Sequence, residues 1–242
     1  MEPTNPGLQT PSERKHRLLE GKTLVFSVLT FLAVAIGGPV LIIPPLFMQG
    51  QIKPVAGVKP WTPLELEGRD LYIREGCNNC HSQQVRPLKA EVDRYGPRSL
   101  AGESIYDRPF LWGSRRTGPD LARVGGKYPD AWHWRHMRNP RDIEPRSTMP
   151  TYPWFFERDL DLSCTQAKLR ALRRLGTPYT DAEIAGAVDL LRAQAKVLDQ
   201  RLRSQGVPST GDGKEIVALI AYLQRLGADL KQGSAAARTA SR

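Results

Sequence analysis

Thiols and imidazoles are scarce in this chain: three cysteines and four histidines stand among 242 residues. A zinc site needs one or two further Cys or His at ligand spacing; His133 and His136 could serve. Strand-like alternation and internal repeats are missing, so a C-x-x-C pair has no βαβ frame of the thioredoxin kind. Acidic residues are in deficit, 25 against 35 Lys and Arg, a formal net charge of +10. Residues 1–22 contribute only +1 of this, so most of the excess lies further on. Such a surface suits acidic partners, anionic lipid or a face docked on another subunit. Nothing resembles a nucleic-acid module, and no nucleic-acid partner is expected. Hydrophobic residues at 40% and charged residues at 25% exclude a disordered chain and a many-span membrane protein.

Charge is absent altogether from Thr23 to Phe47. As a helix this run is about 37 Å long, enough to cross a hydrocarbon core of about 30 Å with tilt. A signal peptide has a shorter apolar region of about 7–15 residues, and no small-x-small cleavage site follows here. An uncleaved anchor over 23–48 is therefore expected. Gly37, Gly38 and Pro39 predict a kink or a close helix contact, and Pro44 and Pro45 mark the end. Arg14, Lys15, Arg17 and Lys22 precede the run, whereas only Lys53 and Lys59 follow closely. The positive-inside bias puts the N-terminus in the cytoplasm and residues 51–242 outside.

Beyond a linker at 49–61 the pattern is helical. Thr62-Pro63-Leu64-Glu65 is a capping box with Pro at the first helical position, predicting a helix from Pro63 to about Glu75 that Gly76 stops. Residues 82–130 show no sustained period and read as a long ordered loop region. A short helix is expected over 130–138, and another over Thr165–Leu175. Thr180-x-x-Glu183 opens a helix whose stripe is Ile184, Val188, Leu191, Ala195, Leu198 and Leu202. Asp212-x-x-Glu215 opens the last, with Ile216, Leu219, Ile220, Leu223 and Leu226 on one face. The chain divides into a leader (1–22), anchor (23–48), linker (49–61), main domain (62–228) and a disordered tail (229–242).

Cys77-Asn78-Asn79-Cys80-His81 is C-x-x-C-H. Two thiols one turn apart can add to both vinyl groups of one haem, and the adjacent imidazole then lies under the iron. A single C-x-x-C pair followed at once by His fits haem better than zinc. One covalent haem c is the expected cofactor, with Cys77 and Cys80 as attachment points and His81 as axial ligand. A second axial ligand is usually Met or His. Met149 sits beside Pro150 in an irregular segment, where core packing explains it poorly; His136 is the alternative. Met137 has helical spacing beside His133 and Trp134, which points to packing. Arg115 or Arg116 could pair with a haem propionate, since guanidinium suits carboxylates bidentately; a surface or intersubunit arginine is the other reading. Cys164 stands alone and reads as a small buried thiol.

These residues together resemble class I cytochrome c: a helix running into C-x-x-C-H, then Thr117-Gly118-Pro119-Asp120-Leu121, a Met-Pro loop, and the C-terminal helix Glu215–Leu226. The resemblance implies an all-α fold, a single N-terminal transmembrane helix plus a class I cytochrome c-like domain, with insertions at about 82–114 and 156–211. It also implies that the Pro119 carbonyl accepts a hydrogen bond from His81. More narrowly the chain is similar to the mono-haem subunit of cbb3-type cytochrome c oxidases, the FixO or CcoO family. The runs carrying this are Gly68–Tyr72, His81–Gln83, Arg94–Gly96, Ala101–Glu103, Arg108–Ser114, Arg116–Tyr128, Trp132-His133, Asn139–Arg141, Met149–Trp154, Gly176–Thr180 and Ala221–Gln224. That family implies a hetero-oligomeric oxidoreductase of the respiratory chain in the bacterial inner membrane, its haem domain periplasmic. The subunit relays electrons from a di-haem cytochrome c subunit to an integral haem–copper core subunit that reduces oxygen to water, and has no bond-making site of its own. The cytochrome c subunit of a nitric oxide reductase and a free-standing anchored shuttle share the anchor-plus-haem plan.

Overall fold

The computed structural model describes residues 21–47, 52–208 and 211–231. The expectations for the leader before residue 21 and for the tail beyond 231 lie outside the described residues. The chain forms two units, residues 1–52 and 53–242.

The first unit is α1, Thr23–Phe47. Its stretch Thr23–Pro44 is the one described helix long and apolar enough to cross a membrane. The helix continues through Gly37-Gly38-Pro39, and it runs past Pro44 and Pro45 to Phe47 rather than ending at them.

The second unit is helical, and among its described residues the only β feature is one isolated bridge, Asp159 to Lys214. Its helices are α2 (Pro63–Arg74), α3 (Lys89–Tyr95), α4 (Asp130–Arg138), α5 (Trp154–Glu157), α6 (Thr165–Arg174), α7 (Asp181–Ala185), α8 (Ala187–Ser204) and α9 (Glu215–Arg225). Helix α2 starts where the sequence predicted, with Glu65 Oε2 accepting from the Thr62 backbone N–H at 2.9 Å. It crosses α9 at Gly68, where a Cβ would meet the Ala218 carbonyl oxygen at 1.9 Å; only glycine lets the backbones approach so closely. Around this crossing lies the core: Leu64, Leu71 and Tyr72 from α2, Leu191, Ala195, Leu198 and Leu202 from α8, and Ile216, Leu219, Ile220 and Leu223 from α9.

Five local expectations are corrected. The helix opened by Thr180 is two helices, because Gly186 ends α7 and begins α8. Ile184 consequently packs in a second, smaller cluster with Leu66, Leu169, Tyr179 and Ala187. Asp212 does not cap the last helix: Lys214 takes the cap position, and the Glu215 carboxylate is bridged by Arg74 at 2.8 and 2.7 Å. A bidentate charge-assisted pair across the fold outcompetes a local cap. Cys164 is exposed, not buried, because it precedes α6 in a surface turn. The region 82–130 also holds a helix, α3, and a 3-10 turn at Ala101–Ser104 that its pattern did not announce. Residues 229–231, placed in the tail from sequence, are helical, and Asp229 accepts from Arg225 Nη2 at 2.7 Å.

Candidate functional site

Helix α2 delivers the C-x-x-C-H motif. It stops ahead of Gly76, and Cys77–Asn79 then form one 3-10 turn. The backbone N–H groups of Cys80 and His81 both donate to the Cys77 carbonyl, at 3.1 and 2.9 Å. This turn sets the two thiols and the imidazole on one short loop.

Segment 116–122 lies against that loop. Gly118 N–H donates to the Cys80 carbonyl at 3.0 Å, and Leu121 N–H to the Ser82 carbonyl at 2.9 Å. Between these two ties the His81 Nδ1 stands 2.8 Å from the Pro119 carbonyl oxygen. A carbonyl only accepts, so Nδ1 carries the proton and Nε2 keeps its lone pair for a metal. Gly118 is required here, because a Cβ would sit 2.2 Å from His81 Cε1. Burial pushes the His81 pKa down, against the Pro119 bond and the Asp120 charge, which favours the neutral, ligating form. From behind, the Tyr72 hydroxyl donates to the His81 carbonyl at 3.3 Å.

The Met149 segment packs on the same core as Cys77. Met149 is half-buried against the main core, and Tyr152 N–H donates to the Met137 carbonyl at 3.2 Å, tying the segment to α4. The Tyr152 hydroxyl is pushed up to about 12, first by burial and then by the charges of Cys77 and Cys80. Met137 packs in the core, as its spacing suggested. His136 stacks on Trp132, with ring centroids 4.8 Å apart, and Trp132 stacks on Tyr128 at 4.0 Å. Burial, and then the charge of His81, lowers the His136 pKa to about 4.

These residues fit a c-type haem. The Cys77 thiol is pushed up to about 12, chiefly by burial, so it is no thiolate nucleophile of the redox-exchange kind. Cys77, Cys80 and Cys164 are all free, and no cluster of three or more His, Cys, Asp or Glu able to hold a metal ion is found among the described residues. Buried polar atoms ordinarily find partners. Yet His133 Nε2, His136 Nδ1, Trp134 Nε1 and Trp154 Nε1 have none, and all four belong to α4 or α5. A group with polar substituents seated between these elements and the motif would satisfy such atoms.

The two arginines diverge. Arg115 is exposed and has no hydrogen bond or ion pair among the described residues. Arg116 is turned inward, where Glu91, Ser82 and Gln84 take its donors. Sequence reasoning assigned no role to Ser82, Asp120, Glu91 or Tyr152. Asp120 stood inside a quoted run, but Glu91 lies where no period gave a signal.

A helical domain with this motif, a carbonyl fixed on its histidine and a methionine-bearing segment packed on the same core has the plan of a class I cytochrome c-like domain. The family model described as "Cytochrome C oxidase, mono-heme subunit/FixO" matches residues 16–230, and the chain belongs to that family. It is thus a component of an oxidoreductase complex, with one haem suggested by the family description. No curated protein gives a significant match to the chain.

Proposed function

We infer that the chain is the membrane-anchored electron relay of a cbb3-type terminal oxidase. The observation that carries this reading is the His81–Pro119 contact of 2.8 Å beside Cys77 and Cys80, in a chain of the FixO family. Cys77 and Cys80 would hold the haem as thioethers, and His81 Nε2 and the Met149 sulfur would bind its iron. When bound, the haem supplies reversible one-electron chemistry; methionine ligation raises its potential and surrounding hydrogen bonds tune it. The chain's own work is to orient and shield. Pro119 fixes the imidazole plane and tautomer. Cys77, Tyr152 and Trp154 all pack against the core built around the α2–α9 crossing, which keeps the position rigid. Arg115, exposed and without a partner among the described residues, is the arginine free to reach a propionate. The N-terminus is cytoplasmic and the haem domain periplasmic, at the inner membrane of a bacterium. Electrons arrive from a di-haem cytochrome c subunit and leave to the integral haem–copper core.

Native membranes dissolved in mild detergent and run on a non-denaturing gel test this. The band holding the chain, identified by haem stain after denaturation, should contain haem b and consume oxygen when given reduced cytochrome c. A chain migrating alone would be an anchored shuttle, and co-migration with nitric oxide reduction would assign it to that enzyme instead.

A further inference from the structure

The loop under His81 contains a buried charged network that haem attachment alone does not require. Asp120 follows directly on Pro119, and its side chain is wholly buried. Its Oδ2 accepts from the Ser82 hydroxyl at 2.7 Å and from the Gln84 backbone N–H at 2.8 Å, while Oδ1 accepts from the Ala122 N–H at 2.9 Å. The residue after His81 is therefore bonded to the residue after Pro119. Arg116 closes the network from the side. Its Nε donates to the Ser82 hydroxyl at 2.6 Å and its Nη2 to the Gln84 carbonyl at 2.8 Å. The guanidinium pairs with Glu91 at 2.5 and 2.7 Å and lies 3.5 Å from Asp120 Oδ2. Arg86 holds Glu91 from its other side. A bidentate guanidinium shared between two carboxylates is a costly feature to bury unless the geometry it fixes matters.

We propose that Asp120 and Arg116 are positioning residues that set the reduction potential of the haem on His81, and that they do so in opposite directions. The proposal rests on the haem-site reading above. Oxidation adds one positive charge at the iron. A carboxylate fixed close to the ligand favours that state and lowers the potential, while a neighbouring cation opposes it, and both effects are strong where water is excluded. Asp120 acts a second time through geometry. By holding Ser82 it keeps the Pro119 carbonyl on Nδ1–H, which makes the imidazole a stronger donor and again favours the oxidised state. Arg116 partly neutralises that charge and shares the same hydroxyl. Glu91 keeps Arg116 in place and tempers its cation.

Redox titration of the purified haem-loaded complex at one pH tests this, with Asp120→Asn, Arg116→Gln and Arg116→Lys compared with the parent. The optical spectrum of each monitors the axial ligands. Asp120→Asn should titrate at higher potential, Arg116→Gln at lower potential, and Arg116→Lys beside the parent. A merely structural network would loosen on either change and move both variants the same way. Shifts of one sign, no shift in either, or Arg116→Lys falling as far as Arg116→Gln would each overturn the proposal. If Asp120→Asn yields no haem-loaded protein, the arginine pair decides: a fall in Gln absent from Lys supports it, and Gln equal to the parent rejects it. A parent chain without covalent haem on a denaturing gel would instead sink the haem-site reading.

Discussion

Replacing Met149 by Ala should leave covalent haem attachment intact but give a high-spin iron or a lower potential, read by optical spectrum and redox titration. An unchanged spectrum would move the sixth ligand elsewhere, with His136 the first alternative. Gly118→Ala should act on the other face. Its new Cβ would meet His81 Cε1 at 2.2 Å and Nδ1 at 2.7 Å. Overpacking of that kind costs about 1–3 kcal/mol, and here it also displaces the imidazole from the Pro119 carbonyl. The variant should carry less haem per chain and a smaller low-spin fraction; parent-like values of both would show that the loop yields elsewhere. At this scale much of the site was legible in the sequence, since C-x-x-C-H is a spacing rule for one short turn and Gly118-Pro119 travels in a recognisable run. The network beneath it was not. Ser82, Glu91 and Arg116 acquire a role only when three segments meet, and no local pattern records that meeting.

Helices followed the sequence where a side chain or a stripe dictates them. Thr180 accepts from the Glu183 N–H at 3.2 Å while Glu183 Oε2 takes the Thr180 N–H at 2.7 Å, so that capping box formed as written. The box at Asp212 had the same spacing to a glutamate but lost its Glu215 to Arg74. Helix α3 escaped notice because it is seven residues long, has no side-chain cap and leaves Leu88 and Val92 exposed, so no apolar stripe marks it. It nevertheless supplies Glu91, whose carboxyl Arg116 and then Arg86 hold at about 2 against an ordinary 4.5. A depressed carboxyl binds its proton later in the folded state than in the unfolded one. Its stabilising contribution is thus full above about 4.5 and is lost as pH falls toward about 2. Urea unfolding at about pH 5 and about pH 3 should show the folded domain weakening between the two, and Glu91→Gln should weaken less steeply over that window. Equal slopes would remove Glu91 from the acid response.

On the scale of the whole molecule, one apolar helix and one cytochrome-like unit, on the function proposed, put the haem on one side of a membrane. Cys164 offers a direct marker of which side, because its thiol is exposed while Cys77 and Cys80 would be consumed as thioethers. A membrane-impermeant thiol reagent should label Cys164 in intact spheroplasts; labelling only after lysis would place the domain in the cytoplasm and reverse the orientation drawn from Lys22 and the basic leader. The long apolar helix and the helical class could be read from sequence because absence of charge and helical spacing are long-range signals. Which subunits the basic surface meets could not, since a charged face looks alike whether it binds a donor or an acceptor. The central claim, that electrons pass through this chain to an oxygen-reducing core, is met most directly by rapid mixing. The reduced complex is mixed with oxygen in the presence of reduced cytochrome c, and the haem of this chain is followed optically through turnover. Oxidation and re-reduction at least as fast as oxygen is consumed would agree with a relay. A haem that stays reduced while oxygen disappears would contradict it.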